Sequence, residues 1–311
     1  MTATSAGPLA LLPVPATLAA PPPGDIVVGA YLRTLRTDAH RTVADIAKTL
    51  RLRLAALARI ERATHPLPPF LVSDLLRQYG IHDRSEIEVV QRLLADPRDP
   101  GRFRLVDHGP GAHDRLAALQ RCATTLHSYT SHLLPRPYRT PGYHRALKRP
   151  GAAQPGARPA PLGQDPPRPC AAAGPWFTLL LDERVLRQPI GGCRVMACQL
   201  GHLLDLIDSK RATIHVVPAH STVRPLEPAV TEAAVHGHRL YVMERNEGIE
   251  YRSGDGYPPL LHNWLGTLLR AALPGESSRD CISQARDHLW RRAALEPDAE
   301  PPAPTRGARH P

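Results

Sequence analysis

Basic residues that can contact phosphate groups are concentrated in one short stretch of the chain. Between positions 48 and 62 there are five of them: Lys48, Arg51, Arg53, Arg59 and Arg62. Lysine and arginine side chains hold the phosphate oxygens of nucleic acids and so position a protein on the duplex. The formal net charge of +10 and the sequence pI of about 9.8 favour the same kind of partner. The first chemistry that the sequence indicates is therefore contact with a polyanion.

Two other sets of residues are weaker candidates for chemistry. Asp182 and Glu183 are adjacent at the end of a predicted strand, where neighbouring side chains point to opposite faces. A salt bridge or a helix cap therefore suits them better than joint acid–base work. Gly191-Gly192 can offer backbone N–H groups to an anion, although a tight turn is the simpler interpretation. No motif of a hydrolase, a zinc protease or a nucleotide-binding enzyme occurs, so we expect no enzyme, no catalytic residue and no cofactor.

The cysteines and histidines indicate neither a disulfide framework nor a metal site. The sixteen histidines are scattered. An odd number of cysteines without a CxxC pair is typical of reduced thiols: Cys122, Cys170, Cys193, Cys198 and Cys281. No stretch reaches the roughly 20 apolar residues that a membrane helix needs, and the apolar start lacks the basic region of a signal peptide. We therefore expect a cytoplasmic protein with no metal and no contact with a membrane.

Short amphipathic helices must position the five basic residues. From Val28 to Gly80, apolar residues recur at helical spacing and predict three or four helices with short breaks. A break at Arg51-Leu52 separates a helix around Val43–Leu50 from a second helix at Leu54–Arg62. Small Ala47 allows the two helices to cross closely. This layout predicts a helix-turn-helix, whose second helix can enter the major groove of DNA.

The same stretch resembles the Xre-type (λ-repressor-like) helix-turn-helix domain. Leu32-Arg33-Thr34-Leu35-Arg36 is similar to the family's "LRxLR", and Arg59-Ile60-Glu61-Arg62 is similar to its "RIERG". The resemblance implies that Arg36 and Glu61 form an ion pair that ties the first helix to the recognition helix. It also implies double-stranded DNA as the partner, contacted by Thr42, Val43, Lys48, Arg51, Arg53, Leu54, Ala55, Ala58, Arg59 and Arg62.

Two departures from that family bear on function. Arg51 stands at the turn, where the family often has glycine; if the turn needs a positive φ, a side chain there costs about 1 kcal/mol. Apart from Arg53, the residues that open the recognition helix are Leu54, Ala55, Ala56 and Ala58. They cannot hydrogen-bond to a base edge, although they can touch a thymine methyl group. A transcriptional regulator and a protein-interaction module with weak or non-specific DNA binding therefore both stay open.

A second resemblance covers the C-terminal half. The segment from Thr125 to Leu147 is similar to "I..YEP..VPGLLQTxxYARAxL", which follows the helix-turn-helix in a set of actinobacterial regulators often described as antitoxin-like. Their C-terminal domain is of uncharacterised function. Residues 184–192 resemble the "DExxLRxxxGG" segment of the same proteins. The resemblance implies an effector or partner domain, and it allows a small protein from a neighbouring gene as the partner. We expect a homodimer across a near-palindromic DNA site.

These patterns predict a multi-domain protein with an all-α helix-turn-helix N-terminal domain and a mixed α/β (α+β) C-terminal domain. In the second domain, strands are expected at 177–183, 212–218, 229–235, 239–243 and 248–253. The third and fourth of these form a predicted hairpin with its turn at His236-Gly237-His238. Helices are expected at 115–127, 193–208, 257–273 and 277–292. The predicted division is a disordered arm 1–24, a DNA-binding domain 25–95, a linker 96–114, a sensor or partner-docking domain 115–293 with a disordered insertion 149–175, and a disordered tail 294–311.

Overall fold

The computed structural model describes residues 21–65, 67–95, 103–148, 176–245 and 248–295. Its N-terminal part is helical because amphipathic segments bury their apolar faces against one another. The helices are α1 Pro23–Asp38, α2 Val43–Thr49, α3 Leu54–Glu61, α4 Pro69–Gln78 and α5 Arg84–Ala95.

The C-terminal part is built on a mixed β-sheet. Its elements are β1 Phe103–Asp107, α6 Ala112–Cys122, β2 Ala123–Thr130, a 3-10 turn Arg136–Tyr138, α7 Pro141–Lys148, β3 Trp176–Asp182, α8 Glu183–Leu186, α9 Cys193–Asp208, β4 Ala212–Val217, β5 Ala229–Val235, β6 His238–Arg245, β7 Gly248–Ser253, α10 Tyr257–Ala271 and α11 Gly275–Leu295. Among the described residues the strand order is β1-β7-β6-β5-β2-β3-β4. β2, β3 and β4 are parallel, and the other neighbours are antiparallel. The predicted fold class is confirmed.

Helices cover the two faces of the sheet unequally. Alternate residues of β3 point to opposite faces, so Leu179 packs with α7, α9 and α11 while Leu180 packs with α10. Phe177 contacts both the first of these groups and the core that surrounds α6. One face of the sheet is therefore covered by α6, α7, α9 and α11, and α10 lies on the other.

The helical part and the sheet share one hydrophobic core. Leu32 of α1 and Leu57 of α3 belong to the same buried cluster as Leu119 of α6 and Tyr251 of β7. A polar contact also joins α6 to α1: Nη1 and Nη2 of Arg121 donate to the carboxylate of Asp38 at 2.8 and 2.7 Å. The N-terminal helices therefore rest directly on α6 and the sheet.

The interval 96–114, predicted as a linker, contains ordered structure. β1 lies in it and forms the edge of the sheet, pairing antiparallel with β7 so that Leu105 is opposite Tyr251. The first residues of α6 also fall in this interval. Because Pro and Gly residues surround β1, composition alone conceals a five-residue strand whose partner lies far away in the sequence.

The helix predicted for 115–127 is wrong in its second half. α6 ends at Cys122, and the chain continues at once as β2, which lies between β3 and β5. The apolar spacing of α6 runs on into β2, which explains the error. Thr124 and Thr125 are β-branched and favour an extended backbone, and pairing on both sides satisfies the backbone groups of the strand.

The other predicted elements are confirmed with small shifts at their ends. β5 and β6 form the predicted hairpin, and its turn is His236-Gly237, with φ of +51° and +85° as a type I′ turn requires. The predicted arm 1–24 is corrected at its end, because α1 begins at Pro23; similarly, α11 continues to Leu295. The rest of the arm, the predicted insertion 149–175 and the tail beyond 295 lie outside the described residues.

Candidate nucleic-acid interface

A side-chain cap fixes the start of α2. The hydroxyl oxygen of Thr42 accepts a hydrogen bond from the backbone N–H of Asp45 at 3.1 Å, and the Asp45 carboxylate accepts one from the Thr42 N–H at 3.0 Å. This capping box satisfies two otherwise unpaired donors. Hydrogen bonds from the Thr42 hydroxyl and then from its N–H hold the pKa of Asp45 below its usual value. Thr42, predicted for DNA contact, therefore also has a structural task.

The turn between α2 and α3 has a left-handed residue at its centre. Arg51 has φ of +53°. The N–H of Leu52 donates to the carbonyl of Ala47 at 2.8 Å, and that of Arg51 donates to Lys48 at 3.3 Å, which is the Schellman pattern. The condition attached to the glycine departure is therefore met: the turn does use a positive φ, and Arg51 occupies it.

α3 divides into a buried side and an outward side. Leu57 and Ile60 are buried in the shared core. Leu54 is 54% exposed, although it is a large apolar residue at the first position of the helix. Ala55, Arg59 and Arg62 are exposed, and Ala58 is half-buried. The outward side therefore begins apolar and ends basic.

The structure brings Arg36 and Glu61 together in the buried seam between α1 and α3. Nε and Nη2 of Arg36 donate to the two carboxylate oxygens of Glu61 at 2.6 and 2.8 Å, and Nη1 donates to the carbonyl of Arg41 at 2.9 Å. Glu61 is only 3% exposed. The hydrogen bonds that Arg36 donates to Glu61 raise the pKa of Arg36 above its ordinary value. This two-pronged pair fixes how α3 is held against α1.

The five basic residues of the α2–α3 unit all point to solvent. Lys48, Arg51, Arg53, Arg59 and Arg62 are exposed, whereas Val43 is half-buried. Among the residues that the structure describes, none of the five forms an ion pair with a carboxylate. Arg53 is the N-cap of α3 and makes no side-chain cap, so the first N–H groups of α3 have no side-chain acceptor there. The contact of the five basic residues with DNA stays a prediction.

The second domain makes a contact with α3 that no pattern in the sequence signals. His238, at the start of β6, donates from Nε2 to the carbonyl of Arg62 at 3.2 Å, just past the end of α3. Beside it, burial and then the positive charges of Arg33 and Arg62 lower the pKa of His236 to about 4. The turn of the β5–β6 hairpin thus touches the end of the candidate recognition helix, across a long sequence separation that no local pattern can reveal.

The remaining sequence candidates have structural tasks. Asp182 caps α8 by accepting from the N–H of Arg184 at 2.8 Å, which confirms the cap interpretation, and Glu183 accepts from the N–H of Ala219 at 3.0 Å. Gly191 and Gly192 have φ of +76° and +93° in a tight turn before α9. Within the described ranges no group of three histidine, cysteine or acidic side chains is arranged to hold a metal ion. In the same ranges no helix is long and apolar enough to cross a bilayer.

Comparison with known protein families gives two matches that divide the chain as the fold does. A family described as "Helix-turn-helix domain" matches residues 27–90. A family described as "Domain of unknown function (DUF5753)" matches residues 113–284, which is more than half of the chain. Neither the curated proteins nor the solved structures gave a match.

Proposed function

We propose that this chain, which belongs to the DUF5753 family and carries a helix-turn-helix domain in front, is a DNA-binding transcriptional regulator of the Xre type. The observation that carries the proposal is the α2–α3 unit. It presents five exposed basic residues without carboxylate partners among the described residues. The two-pronged Arg36–Glu61 pair supports the Xre type, because the resemblance of this stretch to Xre-type domains implies such an ion pair.

In the proposed complex, α3 enters the major groove and its flanks hold the phosphates. Lys48, Arg51, Arg53, Arg59 and Arg62 contact the DNA backbone, which provides affinity without sequence information. Arg53 stands at the start of α3, so it can also reach a guanine edge, and the exposed Leu54 can touch a thymine methyl group. Because polar residues are scarce at this end of the helix, few base contacts carry the specificity.

The second domain is proposed to sense an effector or a partner and to change the DNA-binding state of α3. The hydrogen bond from His238 to Arg62 supports this role, because it links the sheet to the end of α3. A distant site acts in this way only by favouring one of two arrangements. We further propose a cytoplasmic homodimer without enzymatic activity, with a small protein from a neighbouring gene as one candidate partner of the second domain.

The proposal is tested by fluorescence anisotropy with the DNA upstream of the protein's own gene and with a scrambled duplex. At roughly 150 mM salt, non-specific binding is largely suppressed. We expect the upstream DNA to bind tighter by about 10³ or more, as for sequence-specific regulators. Equal and weak binding of both duplexes would count against a regulator of its own promoter.

A second candidate function is a protein-interaction module with weak or non-specific DNA binding. The observation that favours it is the apolar outward start of α3, where Leu54 is exposed, together with Phe70 of α4, which is 75% exposed. In-vitro selection from random duplexes separates the two functions. Recovery of a discrete motif would eliminate the interaction module, whereas a pool without enrichment would favour it.

A further inference from the structure

Arg136 is a buried cation that has no ion-pair partner among the described residues. It lies on the 3-10 turn after β2 and is only 5% exposed. Its Nη1 is buried and has no hydrogen-bond acceptor, and among the described residues its guanidinium enters no ion pair. A buried charge with no counterpart is strongly unfavourable, so proteins almost always pair it. Here the pairing group is not supplied by the described part of the chain.

Two further nitrogen-bearing side chains, His113 and Arg139, interact electrostatically with Arg136. His113, the second residue of α6, has a buried Nδ1 with no hydrogen-bond partner. Burial, and then the positive charge of Arg136, lowers the pKa of His113. Arg139 is half-buried and donates from Nε to the carbonyl of Leu134 at 2.6 Å, with no acceptor for its other nitrogens among the described residues. The donors of all three residues thus exceed the acceptors around them.

The acidic groups nearby do not neutralise this cluster. The charges of Glu244 and Asp114 reach both Arg136 and His113, but both carboxylates are exposed, and in the described structure neither is within ion-pair distance of Arg136. Burial, the largest influence, lowers the pKa of Arg136, whereas the charge of Glu244 raises it and that of Arg139 lowers it. Among the described residues, the guanidinium of Arg136 therefore lacks a direct carboxylate partner.

The place of the cluster in the fold suits a small ligand. The 3-10 turn follows the carboxyl end of β2, and α6 begins just after the carboxyl end of β1. Because β1 and β2 run in the same direction, these two ends lie on the same side of the sheet, where its strands terminate. Ligands of open α/β sheets bind outside the carboxyl ends of the strands. The half-buried His113 and Arg139 leave the cluster open to solvent.

We propose that Arg136, His113 and Arg139 form a binding site for one oxyanion group, a carboxylate or a phosphate, of a small ligand. The planar guanidinium of Arg136 holds two oxygens of the group, and His113 and Arg139 donate to the remaining oxygens. This site goes beyond the proposed DNA binding, because it lies in the second domain. It is at the opposite end of the strands from the hairpin turn that touches α3.

The test measures anion binding by the full chain in the absence of DNA, so its outcome is separate from the DNA-binding proposal. Titration calorimetry and thermal unfolding compare inorganic phosphate and acetate with chloride at equal ionic strength. We expect one of the two anions to bind and to raise the Tm. Preference for phosphate would identify a phosphorylated ligand, and preference for acetate would identify a carboxylic acid. Absence of binding by both anions would overturn the site.

The variant Arg136→Met keeps the apolar stem of the side chain and removes its charge and donors. We expect it to weaken anion binding by about tenfold or more, and to have an equal or higher Tm in chloride, because the buried charge is gone. The control Arg145→Met, on the exposed side of α7, should bind like the wild type. Unchanged binding in Arg136→Met, or a lower Tm in chloride, would mean that Arg136 is a structural residue and would overturn the proposal.

Discussion

At the scale of single residues, the ends of helices hold conformational strain. Among the described residues, four helices are followed by a left-handed residue that is not glycine: His40, Arg51, Ala63 and Lys210, with φ between +53° and +56°. In contrast, α4 ends at a glycine, Gly80, with φ of +87°. An L-residue in this region costs about 1–2 kcal/mol. Arg51 therefore combines an unfavourable backbone with a side chain that is proposed to contact phosphate.

Arg51→Gly should separate stability from DNA binding. We expect the free energy of unfolding to rise by up to about 1 kcal/mol, because glycine accepts the positive φ without strain. DNA affinity should fall, because one positive charge is removed. Urea unfolding measures the first effect and anisotropy the second. The matched control is Gly80→Ala, which should destabilise the protein by about 1 kcal/mol; a destabilised Arg51→Gly would contradict the account.

Glu61→Gln should show how much the buried ion pair contributes. Removing one partner of a buried pair leaves an uncompensated charge on Arg36 and is expected to cost about 3–5 kcal/mol. The control is Asp38→Asn, which breaks the half-exposed pair with Arg121 and should cost about 1 kcal/mol or less. Both are measured by urea unfolding. Similar losses in the two variants would disprove the special role of the Arg36–Glu61 pair.

At the scale of secondary structure, periodicity predicts an element well where one pattern has one interpretation. α9 and the β5–β6 hairpin are predicted almost to the residue, because a long apolar stripe and a turn with glycine leave little choice. β2 escapes prediction because its apolar residues continue the spacing of α6, and only pairing with β3 and β5 makes it a strand. β1 escapes prediction because its partner is β7, far along the chain.

The attachment of β1 to the sheet should depend on pH through Glu250 of β7. Burial raises the pKa of Glu250, but hydrogen bonds from Arg104 of β1 and from Arg252 outweigh it and lower the pKa to about 2. The stabilisation is thus complete above the unfolded value of about 4.3 and is lost as the pH falls through the folded value. In urea unfolding, the difference between wild type and Glu250→Gln should shrink below about pH 4.3. A difference that stays constant down to about pH 3, well below that unfolded value, would show that the ionised Glu250 does not stabilise the sheet.

At the scale of the whole molecule, α6 connects the two halves. His113 in its first turn interacts electrostatically with Arg136, and its last turn touches α1 through the contact of Cys122 Sγ with Thr34 Oγ1 at 3.7 Å. The core around it contains residues of both halves. Packed side chains therefore connect the proposed oxyanion site, through α6 and α1, to α3. Such a continuous packed connection can couple the two sites energetically.

The shared core predicts that both halves unfold together. We expect one calorimetric transition, with the same midpoint by far-UV circular dichroism and by tryptophan fluorescence, since two-state unfolding makes different probes coincide. The mutation Leu119→Ala, in α6, should lower that single midpoint for both halves. Two separate transitions, of which only one shifts in Leu119→Ala, would show that the halves are independent.

The candidate interface is accessible from the sequence only in part. The α2–α3 unit follows from local spacing, and the Arg36–Glu61 pair follows from a resemblance. The contact of His238 with Arg62 and the electrostatic interaction of Arg136 with His113 depend on the packing of distant segments, for which no local pattern exists. Departures such as Arg51 and Leu54 are visible in the sequence, but their exposure and backbone conformation are not.

The most direct test of DNA docking through α3 is the salt dependence of binding to a duplex obtained by in-vitro selection, for the wild type, Arg53→Ala and Arg291→Ala. Arg291 is an exposed arginine of α11 and serves as the matched control. If Arg53 docks α3 on the duplex, Arg53→Ala should bind more weakly. The slope of log K against log salt is negative, and its magnitude should decrease by about 0.9 for each phosphate that the variant no longer neutralises. Arg291→Ala should keep both the affinity and the slope. An unchanged slope in Arg53→Ala, or equally weakened binding in both variants, would contradict docking through α3.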